Sequence, residues 1–272
     1  MVANENVQVH AGNNQMVLVQ GSGRMRGLNN LLSGELTQWF RTRRWWVNIL
    51  IWAGAINFIY LMVALNLRTT PIIDAISVFN VFMGLAGPIG TVIIMQMVVV
   101  GETRSGTASW IMSKPVARQA FILSKLIGNT IGLAVTMILA QGVIAYLITG
   151  LVLNTWLSIP GFTAGMLVHL VDIFFYLTLT LMLGTVFDHP APVIGIPLAF
   201  LFAQQYLGAT SPVVYQLIPW TLAVPVGDSS PALAQVLMNG LAVPTYLPLI
   251  SALVFSAVFT LLAVWVFQRK EL

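Results

Sequence analysis

"GETRSGTASWIMSKPVARQAFILSKLIGN", residues 101–129, decides how this chain is read. It lies between two long apolar runs, yet it holds Glu102, Arg104, Lys114, Arg118 and Lys125. Each ionised side chain at the centre of a bilayer costs about 2.5–3.5 kcal/mol on insertion scales. Burying Glu102, Arg104, Lys114 and Arg118 together would cost on the order of 10 kcal/mol, so 101–118 is expected in water. Within it, "TASWIMS" forms one apolar, helix-compatible turn, bounded by Gly106 and Pro115. An apolar turn with a tryptophan in a charged loop is a poor solvated surface. It fits either a docking element or a turn resting on lipid headgroups.

The composition around this loop leaves one class. The chain has 272 residues, 58% hydrophobic and only 7% charged, with a mean hydropathy of +0.88. Soluble domains are about 25% charged, so this is read as an all-α integral membrane protein. Cysteine is absent, which excludes disulfides, thiolate metal sites and cysteine nucleophiles. The three histidines are scattered, so no metal site is expected. Residues 1–24 are polar, without the apolar core of a signal peptide, and read as a flexible tail.

A crossing needs about 20 mostly apolar residues. Six runs qualify: 45–65, 72–100, 120–151, 163–187, 191–207 and 246–267. The segment 208–245 is apolar but broken by Pro212, Pro219, Pro225, Pro231 and Pro244. Proline inside a helix costs about 3 kcal/mol, so short re-entrant helices are expected before the sixth span. A seventh and eighth crossing is the competing reading. With six spans, eleven of the twelve Lys and Arg residues fall on one side and Arg68 alone on the other. The positive-inside rule then makes both termini cytoplasmic. Ahead of the first span, Leu28, Leu31, Leu32, Leu36, Trp39 and Phe40 recur at helical spacing. Glu35, Arg41, Arg43 and Arg44 keep that stripe from crossing, so 27–44 is expected as an interfacial helix against membrane lipid.

The loop also resembles that of permeases of the type-2 ABC exporter family. Glu102, Ser105, Gly106, Thr107, Ser113, Pro115, Val116 and Arg118 fall on that family's run of the form E-R-E-S-G-T-L-E-L-L-L-S-x-P-V-S-R. Thr103, Ala108 and Ser109 depart from it. The close "FQRKEL" and the layout of spans are similar too. The resemblance implies that 101–118 is a coupling helix seated on a separate nucleotide-binding subunit. Glu102, Arg104, Ser105, Gly106, Thr107, Trp110, Ile111, Met112, Pro115 and Arg118 would be its contact residues. It implies a second permease chain, as a homodimer, in a prokaryotic cell membrane. ATP and Mg would be bound by the partner and no cofactor by this chain.

The remaining motifs agree with that expectation. "GLAGPIGT" at 84–91 lacks the lysine of a phosphate loop, and no nucleic-acid-binding pattern occurs. No catalytic residue is expected. Gly84, Gly87, Pro88 and Gly90 allow a kink or close helix approach. Gln96, Gln141, Gln204 and Gln205 suit interhelical hydrogen bonds or a polar path. His169 and Asp172, three apart, share a face of the fourth span and are expected in its outer half. They are either pathway groups or a structural pair. The alternative function is a stand-alone six-span channel, secondary transporter or intramembrane enzyme. That reading needs ionisable groups deep in several spans. The apolar spans suit a hydrophobic or amphipathic cargo.

Overall fold

Six helices are long and apolar enough to cross a membrane: Arg44–Asn66, Ala75–Arg104, Arg118–Val152, Ile159–Val186, Pro190–Leu207 and Leu247–Arg269. They are called the first to sixth spans below and fall on the six predicted apolar runs. The computed structural model describes residues 25–66, 72–207, 211–225 and 231–270. The predicted tail 1–24, Arg68 and parts of 208–245 lie outside them. Every described element is helical.

The second span belongs to a 33-residue helix, Ile72–Arg104. At 1.5 Å per residue it is about 50 Å long, well over a hydrocarbon core of about 30 Å. The sequence put the end of this run at residue 100, but the helix continues through Gly101 and the chain turns only at Gly106, with φ 73°. Glu102 and Arg104 therefore ride on the helix rather than in a loop. The fourth span is apolar all round and has no preferred face, so it sits at the centre. The second and sixth spans and the short helix Leu233–Met238 pack around it.

The first and third spans are joined by polar side chains at matched irregularities. Each contains a π-helical turn, Ala53–Asn57 and Ala134–Leu139. Such a turn shifts the carbonyl register and leaves acceptors for side chains. Gln141 Nε2 donates to Thr136 O, five residues back, at 3.0 Å. Asn57 Nδ2 donates to Gln141 Oε1 at 2.7 Å. Further along, Tyr60 and Thr149 hydroxyls meet at 2.8 Å.

Glycines set how closely the helices approach. The indole of Trp52 lies over Gly90, and Ala223 of the short helix Trp220–Ala223 fits at Gly84. The glycine stripe of the second span thus serves packing. At Gly132 a Cβ would stand 2.2 Å from the ring of Trp39. Gly132→Leu is therefore expected to push the helix Leu28–Phe40 off the third span. The cost should be about 1–3 kcal/mol, measured as a lowered melting temperature in detergent; an unchanged melting temperature would contradict this packing.

Four segments distant in sequence meet at one end of the bundle. Ala117 N donates to Arg26 O at 3.0 Å. Arg118 Nη1 donates to Gln268 O at 2.7 Å and Lys270 O at 2.9 Å. Lys270 Nζ donates to Asp188 Oδ1 at 2.7 Å. The described start of the chain, the 101–118 connector, the turn at 188 and the end of the sixth span therefore share one end. An even number of crossings requires this arrangement. The hydrogen bond from Lys270 holds the Asp188 carboxyl below its ordinary pKa of 3.8. That contribution is present above the ordinary value and lost as pH falls through the lower folded-state value. Asp188 is largely exposed, so the tether is weak.

Between the fifth and sixth spans lie Pro212–Leu217, Trp220–Ala223 and Leu233–Met238. Prolines punctuate them as the sequence predicted. The last two pack on the fourth and second spans, so their backbone ends lie against protein.

Candidate functional site

The connector at the basic end consists of a turn, a short helix and a return. Gly106 supplies the left-handed turn, and Thr107–Met112 forms the helix. Ala108 is fully buried on the bundle, and Ile111 and Met112 pack against the core. Arg104, Ser105, Gly106, Thr107 and Pro115 are exposed. Trp110 is 62% exposed, with Lys114 Nζ 3.5 Å from its ring centroid. A cation over an indole holds the ring in place at a cost of little area. The result is one anchored helix face and one presented face, with a large aromatic ring at its centre.

The ten predicted contact residues divide into two groups. Arg104, Ser105, Gly106, Thr107, Trp110 and Pro115 form the exposed surface. Ile111 and Met112 anchor the helix from below. Arg118 does not point outward: its guanidinium closes the carbonyls at the end of the sixth span. Those carbonyls have no partner within their own helix, and a terminal cation satisfies them. Glu102 also points inward, to Lys125.

Lys125 is the centre of a cluster that sequence reasoning did not assemble. Its ammonium is bonded to Glu35 of the helix Leu28–Phe40 and to Glu102 of the second span. Lys125 and Glu35 are buried. Trp39 Nε1 donates to Asn129 Oδ1 at 3.1 Å one turn further on, and Glu35 packs on Gly128. The amphipathic helix is thus fastened to the third span by an ion pair, a hydrogen bond and two glycines. Glu35, read as one of the charges that keep this helix from crossing, is also its buried contact with the third span. The available signal was Lys125, a cation inside an apolar run, where a charge requires a partner. Beside the cluster is a cavity of about 370 Å³ lined by Glu35, Gln38, Arg44, Asn48, Glu102 and Lys125, among others.

His169 and Asp172 are both buried in the fourth span, on one face as the spacing required, but they do not pair. His169 Nε2 lies 2.7 Å from Asn80 Oδ1. An amide oxygen only accepts, so the imidazole N–H donates. Asp172 has no hydrogen bond among the described residues. The helix begins at Ile159 rather than near 163, because Ser158 caps it and Pro160 starts its first turn. That places Asp172 at the helix midpoint, not in its outer half. Gln204 bridges Tyr176 OH at 2.5 Å and the backbone N–H of Trp220 at 3.0 Å. Gln141 and Gln204 thus make interhelical bonds. His169→Leu leaves the Asn80 carbonyl oxygen unpaired and should cost about 1–3 kcal/mol. Asp172→Leu removes no hydrogen bond and should be neutral or stabilising. Melting temperatures in detergent check both; unfolding of the Asp172 variant would reveal a partner for that carboxyl. Among the described residues, no group of side chains is arranged to hold a metal ion.

The six apolar helices and the charged end that gathers four segments define a helical, multi-pass membrane protein. The chain belongs to the family described as "Protein of unknown function (DUF2705)", whose family model matches residues 45–272. The match takes in the first span from Trp45 and the other five spans whole, and starts after the helix Leu28–Phe40. No curated protein matches the chain.

Proposed function

We propose that this chain is the transmembrane permease subunit of an ATP-driven exporter of the type-2 ABC kind. The observation that carries the reading is the short helix Thr107–Met112, with Trp110 presented to solvent. It is held at both ends: Glu102 ties one side to Lys125, and Arg118 ties the other to the sixth span. A rigidly mounted aromatic ring with polar neighbours has the anatomy of an interface anchor. In this reading 101–118 is the coupling helix and seats on a separate nucleotide-binding subunit that holds ATP and Mg. Movement of the loop reaches the amphipathic helix and third span through Lys125, and the sixth span through Arg118. Glu102 and Arg118 are positioning residues, while Trp110, Arg104 and Thr107 meet the partner.

A second permease chain, as a homodimer, completes the pathway for a hydrophobic or amphipathic cargo. The complex sits in a prokaryotic cell membrane with both termini cytoplasmic, and the helices of 211–245 are re-entrant from outside. The chain performs no catalysis of its own and binds no nucleic acid. The stand-alone channel or transporter remains the second reading, favoured by His169 and Asp172 at the middle of a buried span.

Because the chain has no cysteine, single introduced cysteines test this arrangement cleanly. A membrane-impermeant maleimide should label Asn154→Cys on intact cells and Ser109→Cys only after permeabilisation. The ATPase subunit should protect Ser109→Cys from label. Labelling of both positions from one side would sink the six-span exporter arrangement.

A further inference from the structure

The 370 Å³ cavity beside Glu102 is of a size that holds small ligands, about 300–1,000 Å³. Its walls come from the amphipathic helix, the start of the first span, and the second and third spans. On the second span the lining runs from Glu102 back to Ile94, eight residues or about 12 Å along the helix. The cavity therefore runs from the charged end into the apolar layer. Met97, in the same wall, is half exposed on the flank of the bundle.

The charges in this cavity are incompletely matched. Lys125 serves both Glu35 and Glu102; with all three charged they sum to one negative charge, which Arg44 in the same lining balances without contacting them. The second oxygen of Glu102, Oε2, is buried and has no hydrogen-bond partner. Arg44, also in the lining, is exposed. Its guanidinium makes no hydrogen bond or ion pair among the described residues. The lining thus offers an unfilled buried acceptor and an unfilled exposed cation. An occupant that answers both carries N–H donors on a cation and, a few bonds away, an anion.

We propose that this cavity binds the headgroup of an ethanolamine phospholipid, with the ammonium toward Glu102 and the phosphate toward Arg44. The depth of the cavity selects a lipid over a soluble molecule, since its apolar wall leads to the flank of the bundle. A choline headgroup has no N–H for Oε2, and a glycerol headgroup has no cation. The inference rests on the membrane placement of the chain and not on the exporter reading.

The test uses the purified, delipidated full chain in detergent, without any ATPase. Dioleoyl phospholipids with ethanolamine, choline or glycerol headgroups are added, and retention is counted by native mass spectrometry alongside thermal shift. The ethanolamine lipid should be retained at least about tenfold better than the other two. Arg44→Gln, at an exposed position, and Glu102→Gln should each remove that preference. Equal retention of the three lipids, or an unchanged preference in both variants, would overturn the proposal. Soluble O-phosphoethanolamine that stabilises the protein as well as the lipid does would overturn the lipid assignment and leave a free zwitterion as the occupant.

Discussion

Replacing Lys125 with methionine is expected to destabilise the protein by about 3–5 kcal/mol, the largest effect of any single substitution proposed for this chain. The substitution keeps the volume of the side chain and removes its charge. Glu35 and Glu102 would then face each other with no cation between them, one of them buried. Breaking a buried pair from one side leaves an uncompensated charge, which costs far more than the pair contributes. The variant should melt well below the wild type and expose the helix Leu28–Phe40 to protease. Adding Glu35→Gln and Glu102→Gln should recover much of the loss, because no charge is then stranded. An unchanged melting temperature for Lys125→Met would mean that the cluster does not hold the amphipathic helix.

Trp110→Ala is expected to leave the fold intact and weaken capture of the proposed nucleotide-binding subunit by roughly 10- to 100-fold. The ring is exposed in this chain, and surface substitutions usually change stability by about 0.5 kcal/mol or less. Burying such a ring in a partner contributes about 1.5–3 kcal/mol, and about 1.4 kcal/mol is a factor of ten. Ile111→Ala separates the two effects. Ile111 packs against the core, so its truncation should lower the melting temperature first. Detergent pull-down with both variants checks this. Wild-type capture by Trp110→Ala would remove this residue from the interface.

The spans were legible in the sequence because a bilayer imposes one rule, about 20 apolar residues in a helix. All six apolar runs became helices. The proline-broken segment before the sixth span was legible for the same reason: proline removes donors wherever it falls. The gathering of the 101–118 connector, the turn at 188 and the end of the sixth span followed from the even count of crossings.

What the sequence hid was pairing between elements far apart in the chain. Glu35 and Lys125 are ninety residues apart, and so are Trp39 and Asn129. Periodicity places each residue on a face of its own helix but does not say which helix it meets. Glu35 was therefore read only as one of the charges that keep 27–44 from crossing. Arg118 was expected at the partner interface by resemblance, yet it closes the sixth span. Its role depends on where that span ends, which no local pattern encodes. His169 and Asp172 failed in the opposite way. Their spacing suggested a pair, but the imidazole bonds to Asn80 of the second span instead.

The central claim is that this chain works with a separate ATP-hydrolysing subunit seated on residues 101–118. The most direct measurement is affinity purification of the full chain from native membranes in mild detergent, with ATP hydrolysis assayed in the eluate. The account predicts a co-purifying nucleotide-binding subunit of about domain size and ATPase activity in the wild-type eluate, both lost with Trp110→Ala. A chain that purifies without any ATPase, or keeps its ATPase when Trp110 is replaced and the 101–118 surface is blocked by label at Ser109→Cys, would contradict it.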